Sequence, residues 1–372
     1  MDPGAPESPG FAIPGKSFVA LACALACALA WVAAWAADAP APPQAPLPPP
    51  LPAEHARLAA HSLLIAIAAA GERLVAVGDR GVIVLSDDRG ASWTQAASVP
   101  AQALLTGVCF FDARHGVAVG HDEVILVTGD AGDNWRLAHY APEAERPLLD
   151  VWCGAGGAAI AVGAYSTYLV SADGGASWSE RPFRPGFASP PASRAHAARD
   201  SSAIEASGGG YHLNRIVGAA ASRLFIAGEA GHLYRSDDAG ASWQELASPY
   251  AGSFFDVLPL GGDALLASGL RGNLYRSEDA GRSWRQLETG TVAMLDGAAL
   301  LPGGEVAVVG LSGVVLVSRD GGRSFSLEQQ SDRSGLSAAL AVGTQAIVVV
   351  GEGGAGLLTL GGGAAAGAGA VR

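Results

Sequence analysis

S-D-D-R-G-A-S-W, residues 86–93, is the stretch on which the fold turns. It returns as T-G-D-A-G-D-N-W at 128–135, S-A-D-G-G-A-S-W at 171–178 and S-D-D-A-G-A-S-W at 236–243. Two further copies read S-E-D-A-G-R-S-W at 277–284 and S-R-D-G-G-R-S-F at 318–325. The third-position aspartates are Asp88, Asp130, Asp173, Asp238, Asp279 and Asp320, so the spacings are 42, 43, 65, 41 and 41 residues. A period of this length marks a repeat architecture. The one long interval holds an insertion of roughly 23 residues, placed at 181–210.

Each octet describes a turn. Its glycine can adopt positive φ, and its aspartate can accept hydrogen bonds from nearby backbone N–H groups. The closing aromatic opens the next strand and packs inward. Adjacent carboxylates such as Asp87 and Asp88 lack the further ligands of a calcium loop, so no metal is expected.

Around the octets run short β-rich segments. Repeat two shows L-L-T-G-V-C-F-F, G-V-A-V-G, E-V-I-L-V-T and N-W-R-L-A, bounded by Gly and Asp. These are four strands per repeat, with no helical periodicity. The expected fold is all-β: a seven-bladed β-propeller of four-stranded antiparallel blades over residues 53–360. The seventh unit, 335–360, shows three strands and no octet. Its fourth strand is expected from residues 54–60, which would close the ring and cover an edge.

The ends read differently. Lys16 precedes an apolar run from Phe18 to Ala37 with small residues at Ala34 and Ala36, so residues 1–37 read as an export signal or membrane anchor. Residues 38–52 are a proline-rich, extended linker. Residues 361–372 read as a low-complexity, disordered tail. The protein is expected to be exported and periplasmic, or anchored facing the periplasm.

The octet S-x-D-x-G-x-[ST]-W, with a G-x-x-G-type turn before it, resembles the Asp-box or BNR repeat. Over residues 62–360 the chain looks most like the photosystem II stability/assembly factor family. That resemblance implies a lumenal or periplasmic propeller that helps a membrane complex assemble, with relatives that accompany membrane exporters. It leaves the client open. Sialidases share the octet and form the alternative, a glycoside hydrolase. They carry an R-I-P motif before the first box, whereas this chain has only R-P-F at 181–183.

No phosphate loop, zinc spacing or nucleophile elbow is present. The eight histidines are scattered without ligand spacing. No catalytic residue and no cofactor is therefore assigned. A net charge of −12 argues against nucleic-acid binding. The reading is a monomeric scaffold for a membrane-protein complex or exporter.

The candidate surface follows from topology. The starts of the innermost strands share one face with the turns between second and third strands. A polar column there is read as Thr106, Asp150, Arg215, Asp256, Asp296 and Ser337 at the mouth of the central channel. The turns add Asp79, Arg80, His121, Asp122, Glu229, Arg271 and Glu352. The insertion adds Arg181, Arg184, Arg194 and Arg199, and with the channel mouth it is expected to grip an acidic segment of a client. Aligning L-L-T-G-V-C with L-L-D-V-W-C places Cys109 and Cys153 at equivalent sites of adjacent blades, which predicts two buried free thiols.

Overall fold

The computed structural model describes residues 48–187, 210–220 and 222–361. The expectations for the signal or anchor, most of the linker, Arg194, Arg199 and the tail after 361 lie outside the described residues. From Pro50 onward the chain forms one compact unit.

That unit is a seven-bladed β-propeller, as the spacing predicts. The strands of each blade are called A to D from the axis outward. Strands A are Leu64–Ala70, Leu105–Phe110, Leu148–Cys153, Leu213–Ala220, Phe254–Gly261, Leu295–Leu300 and Leu336–Ala341. Each touches the next around the ring, and strand A of blade 7 touches strand A of blade 1. Strands B are the most buried because both faces of a blade meet neighbours. Gly116–Gly120, Ala159–Gly163 and Val306–Gly310 are buried at every position. This is why they read as unbroken V-A-V-G runs, not as alternating patterns.

The octets fold as turns between strands C and D. In blade 4, Asp238 Oδ1 accepts the N–H of Ser242 at 2.8 Å and Oδ2 accepts its hydroxyl. Ser236 Oγ accepts the N–H of Gly240 at 2.9 Å and donates to Asp238 at 2.7 Å. The same set recurs around Asp88, Asp173, Asp279 and Asp320. In blades 2 and 3, Trp135 and Trp178 Nε1 each donate to a glycine carbonyl of their own octet at 2.9 Å. These bonds hold Asp88 and Asp173 at about 2, chiefly through the hydroxyls of Ser92 and Ser177.

Two expectations fail. Residues 54–60 do not supply the fourth strand of blade 7, whose sheet has three strands. The segment is held instead along the outer edge of blade 1. Ala53 N donates to Val99 O at 2.9 Å, Gln95 Nε2 to Glu54 O at 2.9 Å, and Gln102 Nε2 to Pro52 O at 2.9 Å. A 3-10 turn at Ala59–His61 then packs beside the start of the outermost strand of blade 7.

The cysteines also fail. Cys109 and Cys153 form a disulfide with Cα atoms 5.7 Å apart. The register explains it. Leu105 and Leu148 are the equivalent residues, since each pairs with the glycine ending strand B, Gly120 and Gly163. Cys109 is therefore equivalent to Trp152, and Cys153 to Phe110. The alignment was one residue out, and a one-residue slip reverses the face on which a side chain lies. The two thiols face each other across blades 2 and 3. Strands A also converge on the axis, so the usual 10 Å sheet separation does not apply there.

Candidate functional site

The turns between strands B and C are tight hairpins with both central residues in the left-handed region. Arg80 has φ 50°, and its equivalents Asp122, Tyr165, Ala230, Arg271 and Ser312 have φ between 52° and 60°. Glycine usually follows, as at Gly81 and Gly272. Such positions cost non-glycine residues about 1 kcal/mol or more each. The turns are tied to the chain entering strand A. Asp79 N donates to Leu63 O, His121 N to Leu104 O and Leu270 N to Ser253 O, at 2.9, 2.9 and 3.2 Å. So the turns and the strand A starts do share one face. Arg80 is almost fully exposed there and lies 3.8 Å from Asp79. Arg271 is exposed at the equivalent point of blade 5.

The polar column at the channel is really two columns. Every strand A shows a register shift just after its first residue, a β-bulge. In blade 3 Leu148 pairs with Gly163 and Asp150 with Val162, which leaves Leu149 on the bulge. Thr106, Asp296 and Ser337 sit on the bulge. Asp150, Arg215 and Asp256 sit one residue further, paired with strand B. The same one-residue slip that misplaced the cysteines merged the two.

The bulge column joins blades through backbone carbonyls. Thr106 Oγ1 donates to Leu148 O at 2.7 Å, and Asn214 Nδ2 donates to Phe254 O at 2.8 Å. Asn214 was missed by the sequence reading. Its signal is the offset from the buried first residue of strand A, visible only once the bulge is known.

The second column makes an ion cluster. Arg215 reaches Asp150 Oδ1 at 3.4 Å with Nη1 and lies 3.3 Å from Asp256 Oδ1 with Nε. Asp150 Oδ2 also accepts the N–H of Ile216 in the next blade at 2.9 Å. Asp256 accepts the N–H of Ala298 in the same way. Both carboxyl groups are almost completely buried. Burial pushes them up, and the Arg215 guanidinium opposes that. Asp296 adds a third carboxyl. Burial, and then the nearby Asp256 charge, push it up to about 7. Its Oδ2 is buried without a hydrogen-bond partner. The position explains this: Thr106 and Asn214 donate from the same place, and an ionised carboxylate cannot.

Asp150, Arg215, Asp256 and Asp296 are thus brought together at the channel. Arg80 and Arg271 share their face but stand on outer turns. The insertion arginines do not join them among the described residues. Arg181 lines an open cleft of about 360 Å³ between blades 3 and 4, beside Trp152, Trp178 and Tyr168. Arg184 is exposed nearby. Phe183 explains the path, because it packs on Tyr168, Tyr234 and Trp243 with ring centroids 5.5, 5.0 and 5.9 Å away. Gly186–Phe187 then pairs parallel with Gln244–Glu245 as a fifth strand of blade 4. The insertion therefore begins at the outer rim. At the channel, Asp150 and Asp256 flank the Arg215 guanidinium, and Asp296 lies near Asp256. Such an excess of carboxyls suits an acidic segment poorly.

Comparison with solved structures bears on the fold. The chain is similar to a structure of YCF48 bound to D1 peptide, with a TM-score of 0.61 and 16% identity, covering 81% of this chain and 94% of that one. It is similar to YCF48 from Cyanidioschyzon merolae, with a TM-score of 0.59 and 18% identity, covering 85% and 97%. The WD40 propeller domain of Doa1 aligns with a TM-score of 0.58 and 12% identity, covering 82% and 94%. No family model matches the chain, and no curated protein matches it in sequence.

Proposed function

We propose that the protein is an exported, non-catalytic scaffold that holds a polypeptide of a membrane complex on the face where strands A begin. The observation that carries this reading is the channel cluster. Asp150 and Asp256 around Arg215, with Asp296 near Asp256, form a net negative centre on a face built from rigid turns, where function commonly resides. A basic side chain of the client suits it better than the acidic segment expected from the arginine count. The similarity to a propeller solved with a bound peptide supports a polypeptide client. The Cys109–Cys153 disulfide supports an oxidising compartment.

The test is affinity capture from detergent-solubilised native membranes with tagged full-length protein. Recovery of a discrete membrane complex by the wild type is expected. Asp122→Lys with Glu229→Lys, on the same face, should reduce recovery at least fivefold. Charge reversals on the octet face, such as Arg89→Glu with Arg282→Glu, should not. Recovery of no discrete complex, or loss only from the octet face, overturns the reading.

A further inference from the structure

Among the described residues blade 7 has three strands, and the other six blades show what occupies the fourth place. Register equates Gly354–Thr359 with the third strands of those blades. Leu85 pairs with Val75 in blade 1, and Leu357 pairs with Val348 in blade 7. At the Leu357 position four of the other blades are covered, with Leu85 3% exposed, Val127 8%, Arg276 4% and Val317 2%, and Val170 and Arg235 of blades 3 and 4 are half-buried. Leu357 is 48% exposed. No described residue pairs with the outer side of this strand.

Blades 1, 4 and 5 define the occupant. After two paired residues, strand D continues with a residue whose N–H donates to the start of strand C. Ala96 donates to Ile83 O, Leu246 to Leu233 O and Leu287 to Leu274 O, each at 2.9 Å. All three side chains are buried. In blade 3 the same bond comes from Arg181, and in blade 6 Glu328 holds the equivalent place; both are exposed. The counterpart acceptor in blade 7 is Ala355, which pairs with Val350 as Ile83 pairs with Val77.

The chain's own octet at this place has lost its chemistry. Residues 358–365 read L-T-L-G-G-G-A-A, which keeps the octet glycine as Gly362 but has Leu358, Leu360 and Ala365 where the other copies carry Ser or Thr, Asp and a closing aromatic. The groups that pin strand D elsewhere are therefore absent from blade 7. Its edge, G-A-G-L-L-T, has no charge and no proline, the devices that normally discourage strand addition.

We infer that the outer edge of Gly354–Thr359 is a docking site for an extended segment of the client, added antiparallel as the missing fourth strand. The segment places an apolar residue one position after its two paired residues, with that residue's N–H on Ala355 O. This is recognition by strand addition, in which the backbone supplies affinity and the apolar residue supplies selectivity. It rests on the scaffold reading and names where a client strand would lie.

The test uses full-length protein and a fluorescein-labelled peptide S-W-R-Q-L-E-T, which copies residues 283–289 of blade 5. Anisotropy should report saturable binding. Ala355→Pro removes the outward N–H on an edge where proline is tolerated, and Leu357→Asp places a charge in the slot. Each should weaken binding at least tenfold, and so should aspartate at the peptide's leucine. Three results overturn the inference. One is no binding by wild-type protein. Another is binding that appears only when Gly367→Pro is introduced, which would mean that the chain's own later residues fill the slot. The third is a concentration-dependent dimer abolished by Leu357→Asp, which would assign the edge to a second copy. If the Ala355→Pro protein still captures the membrane complex at wild-type yield, the slot is not the client's site, while the scaffold reading stands.

Discussion

Reduction of the Cys109–Cys153 bond should lower the stability of the propeller by up to about 4 kcal/mol. The bond closes a loop of 44 residues. Chain-entropy arithmetic for such a loop gives about 13 cal/mol/K, or roughly 4 kcal/mol at 25 °C. For a cooperative unit of roughly 300 residues, unfolding entropy is about 0.6 kcal/mol/K, so the melting point should fall by about 6 °C. The value is a ceiling, because reduction leaves strands A of blades 2 and 3 packed together. The assay is urea unfolding followed by tryptophan fluorescence, run on oxidised, reduced and Cys109→Ala/Cys153→Ala protein. Reduced and doubly substituted protein should unfold at the same lower midpoint. The reasoning is refuted if reduction leaves the midpoint of wild-type protein unchanged. It is equally refuted if denatured, unreduced protein titrates Cys109 and Cys153 as free thiols.

Two further outcomes follow from the channel cluster. Asp296 has a folded-state pKa of about 7, above the ordinary carboxyl value of 3.8. Its protonated form is therefore favoured by folding. The resulting destabilisation is absent below about pH 4, grows as pH rises, and levels off above pH 7, at about 4 kcal/mol. Asp296→Asn should remove it, raising stability by a few kcal/mol at pH 8 and by almost nothing at pH 4, as thermal melts at both values would show. The amide would also match Asn214, which donates across the next blade junction. Arg215→Met should leave Asp150 and Asp256 without their countercharge. We expect a loss of about 2–3 kcal/mol at pH 7, below the range for a fully buried pair because the Arg215 side chain is 38% exposed. The loss should shrink as pH falls and the carboxyls protonate. A pH-independent loss, measured by denaturant unfolding, would show that packing and not charge is at stake.

Most of the candidate face was legible before any coordinates. The turns carrying Arg80 and Arg271 lie with the starts of strands A, because an antiparallel four-stranded meander alternates its connections between two ends. Asp150, Arg215 and Asp256 do meet at the axis. The cysteines and the polar column went astray through a one-residue slip in alignment, since Leu105 and not Leu104 is the equivalent of Leu148. Counting from the leucine of L-L-T instead of its successor moved Cys109, Thr106 and their neighbours to the wrong side of the blade. The described start of the insertion, 181–187, is held by Phe183, whose aromatic pocket comes from two different blades, which its arginines did not signal.

The sequence alone determined the architecture, because six copies of one turn octet at a constant period leave few ways to bury four short apolar strands per repeat. It determined the blade boundaries and the sharing of one face by turns and inner strands for the same reason: these follow from local patterns and chain direction. Only the tertiary structure decided what crosses between blades. The disulfide, the Asp150–Arg215–Asp256 cluster and the place of Asp296 near Asp256 each depend on residues brought together from separate repeats. Their meeting is set by register at the single-residue level, where one step reverses the face of a side chain. Periodicity read over forty residues does not resolve that step; the hydrogen-bonded ladder does.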